Sequence, residues 1–199
     1  MRYLALGDSY TIGEGVPETG RWPAQLCTCL RTQGFRFDDP QIVATTGWAT
    51  DELAAAIDAA ALVPTYDLVS LLIGVNNQYR GRGIDNYRVE FEQLLLRTIE
   101  LAGHRPQRVF VLSIPDWGVT AFGRESGRDL ERIAREIDAF NMTAQQCCAE
   151  RGVTWVDVTG LSRAHPSEVV EDGLHPSAQQ YARWTEAAMS AAKQALAKM

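Results

Sequence analysis

Apolar positions along the chain follow two alternating rhythms. Short continuous runs at Arg2–Gly7, Gln41–Thr45, Asp67–Gly74, Arg108–Ile114 and Val153–Val158 read as strands. The third, DLVSLLIG, is apolar almost throughout, as a strand covered on both faces is. Between these runs the spacing lengthens to that of a helix. Trp22, Leu26, Cys27 and Leu30 share one face of a segment from Trp22 to Gln33, with Gly34 as its stop. Thr50 is expected to cap an Ala-rich helix running to Ala61, with Asp51 and Glu52 in the first turn, where the helix dipole favours acids. Phe91, Leu94, Leu95, Thr98 and Leu101 predict a helix over Tyr87–Ala102. Leu130, Ile133, Ile137, Phe140 and Ala144 predict a longer one from Arg128 to Arg151. Pro176 is expected to open the last helix.

Strands alternating with helices make βαβ units, and hence a parallel sheet covered on both sides. The expected fold is α/β: one domain over residues 1–199, with a five-stranded, doubly wound, flavodoxin-like parallel sheet. Such sheets bind ligands beyond the carboxyl ends of their strands. Chemistry is therefore expected just after each strand.

Composition narrows the function. An apolar content of 46% with 22% charged residues is that of a globular chain, not a disordered one. A net charge of −6 leaves no basic excess to neutralise phosphates, which argues against a nucleic-acid binder. No apolar run approaches the ~20 residues of a membrane span. Met1-Arg2 leads at once into strand-like sequence, which reads as a cytoplasmic protein; oligomeric state stays open. Cys27, Cys29, Cys147 and Cys148 form one C-x-C and one adjacent pair, neither with metal or redox spacing, and read as buried free thiols. No metal and no cofactor are expected. Arg80, Arg82 and Arg88 form a local basic cluster, read as a solvated face rather than an anion site.

The segments after the strands carry reactive groups. Gly7-Asp8-Ser9 follows the first, Thr46-Gly47-Trp48 the second, and Gly74-Val75-Asn76-Asn77 the third. Asp172-Gly173-Leu174-His175-Pro176 stands before the last helix. Ser9 is the candidate nucleophile, and a serine hydroxyl needs a base to activate it. Of three histidines, His104 ends a helix at the far edge, and Ser162 stands three residues before His165. Asp172 stands three before His175 and can orient its imidazole, which makes His175 the base. The Ser9 and Gly47 backbone N–H groups and the Asn76 amide are candidate donors to an oxyanion. Asp8 is expected to brace the turn. Tyr10, Trp48, Tyr79 and Trp117 are candidate walls of an apolar pocket, and Asp116–Gly127 is the longest candidate for a lid.

These four blocks, in this order, resemble the SGNH hydrolases, the Gly-Asp-Ser-(Leu) esterases and lipases. The resemblance spans Gly7 to His175. It implies a three-layer α/β/α fold and metal-independent hydrolysis of ester or thioester bonds of small or medium acyl substrates. It also implies a triad of Ser9, Asp172 and His175, with Gly47 and Asn76 as oxyanion donors. Two positions depart from the family pattern. Tyr10 replaces the usual leucine, and Asn77 stands where an acid is usual, which puts the support of that loop in question. Transfer of the acyl group to an alcohol by the same triad is the alternative reading. A phosphate or nucleotide site at the first turn is disfavoured, because Gly7, Gly13 and Gly15 match neither glycine-rich spacing and the loop has no lysine.

Overall fold

The computed structural model describes residues 1–197. Five strands form its sheet: β1 (Tyr3–Gly7), β2 (Gln41–Ala44), β3 (Leu68–Leu72), β4 (Val109–Leu112) and β5 (Thr154–Val156). All pairs are parallel, in the order β2-β1-β3-β4-β5. Every residue of β1, β3 and β4 is buried, which explains their nearly continuous apolar character; the polar Ser70 of β3 is satisfied by the Tyr3 hydroxyl at 2.8 Å.

Helices cover both faces in three layers. The helices are α1 (Ser9–Ile12), α2 (Trp22–Thr32), α3 (Thr50–Ala59), α4 (Val75–Tyr79), α5 (Ile84–Leu101), α6 (Ala121–Glu125), α7 (Leu130–Arg151), α8 (Thr159–Ala164) and α9 (Ala178–Ala197). α2 packs on α9, whose buried Ala188, Ala191, Ala192 and Ala195 allow close approach to Trp22, Leu26 and Leu30. α5 packs between α3 and α7.

Register places the site. Gly7 pairs with Ala44 on one side and Leu72 on the other, so β1, β2 and β3 end at one level and their following loops converge. Gly7 must be glycine: a Cβ there would lie 2.3 Å from Thr11 Oγ1 and 2.4 Å from the Leu72 carbonyl.

Several expected boundaries move, most through a side chain that takes over a backbone bond. β4 ends at Leu112 instead of Ile114 because Asn141 binds both the N–H (2.7 Å) and the carbonyl (3.0 Å) of Ile114. Asp129 caps α7 by accepting the Arg132 N–H. Thr50 is not the cap of α3 but its first residue; the Ala49 N–H is held instead by the Glu52 carboxylate at 2.8 Å. Pro176 does not open α9. It pairs with Val169 in an isolated antiparallel bridge, two residues before the helix begins.

Candidate active site

Ser9 is the first residue of α1, directly after β1. Asp8 caps this short helix, its Oδ1 accepting the Tyr10 N–H at 3.0 Å, which is the bracing role expected for it. The Ser9 N–H sits where a helix has no acceptor of its own and is free to face a ligand. Asp8 is fully buried and its Oδ2 has no partner among the described residues. Burial pushes its carboxyl up to about 7.

His175 lies on the segment before α9. Its Nδ1 is 2.6 Å from Asp172 Oδ2, while Asp172 Oδ1 accepts the N–H groups of Leu174 (2.8 Å) and His175 (2.9 Å). Burial pulls the Asp172 carboxyl upward, but the His175 ring and these two N–H groups outweigh it and hold it below the usual carboxylate range. The segment is pinned on either side. Val170 N–H donates to the His175 carbonyl at 2.8 Å, and Phe122 N–H donates to the Gly173 carbonyl at 3.0 Å. The other two histidines lie elsewhere. His165 is part-exposed beside Glu168, and His104 follows α5, next to the residues that lead into the amino end of β3.

Gly47 has φ +89° with open space where a Cβ would be, so conformation alone calls for glycine here. Its carbonyl accepts Arg80 Nη2 at 2.6 Å, and Arg80 Nη1 pairs with Glu52 at 2.9 Å. Asn76 donates one amide hydrogen to the Trp48 carbonyl at 2.9 Å, which fixes the amide and leaves its second hydrogen for the cavity. Asn77, fully buried, joins the two loops. Its Oδ1 accepts the Thr50 N–H (3.1 Å) and its Nδ2 donates to Thr50 Oγ1 (2.6 Å), with Glu90 Oε2 3.5 Å away. The Thr50 hydroxyl in turn donates to Glu90. An aspartate at 77 has no hydrogen to donate and would face a second carboxylate. The departure from the family's usual acid is thus matched by Glu90 and Thr50, and the loop keeps its support.

These groups meet at a cavity of about 220 Å³, lined by Ser9, Gly47, Asn76 and His175 together with Tyr10, Tyr79 and Trp117. Thr46, Val75, Phe122 and Leu174 complete the wall. Val75 and Leu174 lie inside motifs already singled out, and Phe122 lies within the 116–127 segment read as a candidate lid, with no reactive motif beside it. Trp48 does not line the cavity. Its side chain packs on the core and only its carbonyl reaches the site, through Asn76. The 116–127 segment is anchored instead of hinged. Trp117 is 2% exposed and its Nε1 donates to Gln78 at 2.9 Å, and buried Asp116 pairs with Arg163 at 2.8 Å.

The remaining candidates behave as structural groups. All four cysteines are free, but only Cys27, Cys147 and Cys148 are buried, Cys29 being part-exposed; burial pushes Cys27 and Cys148 up to about 11 and about 12. Arg80, Arg82 and Arg88 each pair with a different acid, Glu52, Asp51 and Glu150. Among the described residues, no group of three or more His, Cys, Asp or Glu is arranged to hold a metal ion, and no helix is long and apolar enough to cross a membrane.

Residues 5–183 match the sequence model of the GDSL-like lipase/acylhydrolase family. No curated protein matches the chain in sequence. Solved structures of the same fold include TesA, at 18% identity and TM-score 0.77, covering 98% of this chain and 100% of that one. A lipase/acylhydrolase from Enterococcus faecalis aligns at 19% identity and TM-score 0.74, over 96% and 94% of the two chains. Axe2, an acetylxylan esterase from Geobacillus stearothermophilus, aligns at 19% identity and TM-score 0.73, over 96% and 93%.

Proposed function

The chain belongs to the GDSL-like lipase/acylhydrolase family, and on that premise we propose that it hydrolyses carboxylic esters of small or medium acyl groups through an acyl-enzyme on Ser9. One observation carries the assignment of residues: Ser9 and the Asp172-paired His175 line one cavity with Gly47 and Asn76.

With Nδ1 committed to Asp172, His175 Nε2 is the nitrogen left to act as base. Ser9 Oγ attacks the ester carbonyl as its proton passes to Nε2. The carbonyl oxygen becomes an oxyanion, received by the N–H groups of Ser9 and Gly47 and the free Asn76 hydrogen. Each such donor is worth about 10²–10³ in kcat in comparable sites. Collapse breaks the bond to the alcohol oxygen, which leaves with the proton from Nε2, and the acyl group stays on Ser9. Water then gives a proton to Nε2 and its oxygen to the acyl carbon. The second collapse releases the carboxylic acid and returns the proton to Ser9. Asp172 stays ionised throughout and stabilises each imidazolium.

The cavity walls fit an uncharged acyl group. Apart from His175 they present no ionisable charge, and Tyr79, Trp117 and Phe122 form a continuous aromatic face. The same absence of lysine and arginine disfavours a phosphate site at this turn. TesA and the acetylxylan esterase share the fold, and an acyl ester is the substrate class this cavity supports best. The test is turnover of p-nitrophenyl acetate by wild type and Ser9→Ala, with both checked for folding by circular dichroism. A drop of at least about 10³ in kcat is expected. Equal rates would exclude Ser9 as the nucleophile.

A further inference from the structure

Helix α4 carries three amide side chains in a row, Asn76, Asn77 and Gln78. The first two tie it to the chain just beyond β2, through the Trp48 carbonyl and Thr50. Gln78 turns instead toward the segment after β4 and toward α7. It is 4% exposed, its Oε1 accepts the Trp117 Nε1–H at 2.9 Å, and its Nε2 donates to Glu136 Oε2 at 2.8 Å. The amide can be oriented only this way, because an indole N–H only donates and a carboxylate only accepts. Arg132 holds the other Glu136 oxygen at 2.7 Å. That bond first, and the Gln78 amide second, keep the carboxyl below its usual range, so it stays an acceptor.

The backbone around Trp117 is pinned separately. Asp116 Oδ1 accepts the Gly118 N–H at 2.9 Å, and the Trp117 carbonyl accepts the Thr120 hydroxyl at 2.7 Å. The ring itself is set by its edge-to-face contact with Tyr79 at 5.3 Å, by Phe122 at 6.1 Å, and by the bond to Gln78. Without that acceptor the buried indole N–H would have to turn toward another partner. This wall stands between two spaces. Trp117 lines the cavity of about 220 Å³, Gln78 lines a neighbouring groove of about 360 Å³, and Tyr79 lines both. At about 30 Å³ for a water-sized group, the cavity holds a short acyl chain and little more.

We propose that Gln78 is a positioning residue for acyl-length selection: by holding the Trp117 ring it closes the cavity toward the groove and limits the chain to short acyl groups. The proposal rests on the reading of Ser9 as nucleophile. Gln78 touches no reacting atom on this reading and acts only through Trp117. Glu136 fixes the amide so that its oxygen, and not its nitrogen, faces the indole.

The quantity read is kcat/KM for 4-nitrophenyl octanoate divided by that for 4-nitrophenyl butyrate, and in wild type it should lie below unity. Gln78→Met fills similar space without an acceptor and should raise the ratio about tenfold, the scale on which an apolar pocket discriminates chain length. Gln78→Glu still accepts the indole N–H but turns a second carboxylate toward Glu136, and it should raise the ratio as well. Adding Glu136→Gln to that variant restores a donor facing an acceptor and should return the ratio to within about twofold of wild type. Hydrogen exchange at the Trp117 indole N–H, followed by NMR, should quicken in Gln78→Met and recover in the double variant. If both esters fall together in each variant and the exchange rate does not move, Gln78 only packs α4 and the proposal fails. A wild-type ratio above unity overturns it too, because the wall would then not limit the chain. If wild type turns over neither ester, the Ser9 reading falls and length selection with it, whatever the exchange at Trp117 shows.

Discussion

The two halves of the site are held by opposite means. The Asp172–His175 half is local: the carboxylate binds a ring and two N–H groups within three residues of itself, and the segment closes on its own backbone through Val170. The half bearing Gly47 and Asn76 is held from a distance. Asn77 reaches 27 residues back to Thr50, Thr50 reaches 40 residues on to Glu90, and Arg80 reaches 33 residues back to Gly47. His175, the proposed base, whose ring would have to keep its tautomer through two proton transfers, is oriented within one turn of chain. Gly47 and Asn76, the proposed oxyanion donors, follow different strands, so only long-range bonds can fix their separation.

Breaking the local half should have the largest effect on turnover. In Asp172→Asn the amide oxygen keeps the Leu174 and His175 N–H bonds, so the segment stays folded. The amide nitrogen then faces Nδ1 as a donor and forces the wrong tautomer on His175. A loss of about 10³–10⁴ in kcat is expected with little change in KM. Retention within tenfold would mean that Asp172 does not orient the base.

The same contrast decided what was legible in the sequence. The strands showed themselves as apolar runs, and the reactive groups fell after them because a parallel sheet offers its carboxyl end to ligands. The pairing of Asp172 with His175 was legible from their spacing, a pattern visible in one turn of chain. Thr50 read as a helix cap, Arg80 as part of a solvated cluster and Asn77 as a weakness, because their partners are remote and no local pattern names them. Trp48 stands beside Gly47 and so read as a cavity wall, yet only its carbonyl serves the site. Phe122 enters the cavity because its own N–H is tied to Gly173, a contact 51 residues long.

Breaking the distant half should cost less in rate and more in fold. Asn77→Asp keeps the acceptor for Thr50 N–H but loses the hydrogen given to Thr50 Oγ1, and sets a second carboxylate near Glu90. One of the two must then hold a proton, with its folded pKa raised. Stability is therefore retained at low pH and falls as pH rises through the raised value, by about 1–3 kcal/mol at pH 8. kcat should fall about tenfold as the Gly47 and Asn76 loops separate. Adding Glu90→Gln removes the second carboxylate and should recover most of both losses. A double variant no better than Asn77→Asp would show that the Glu90 charge is not the cause.

The smallest effect on turnover is expected where the halves meet, at Asp8. Its carboxyl is buried, caps the turn with one oxygen and leaves the other without a partner. Burial raises its pKa from 3.8 to about 7, so the folded state binds more protons than the unfolded state between those values. Stability should accordingly fall as pH rises through this window and level off above it. Asp8→Asn keeps the oxygen that accepts Tyr10 N–H, so kcat should stay within about threefold, and it removes the titration. From pH 5 to pH 8 the variant should gain about 3 kcal/mol relative to wild type in urea unfolding, since each pKa unit is worth about 1.4 kcal/mol. Parallel stability curves would mean that Asp8 stays ionised across this range, its charge met from within the Ser9 turn, and the junction of the two halves would then carry no charge penalty.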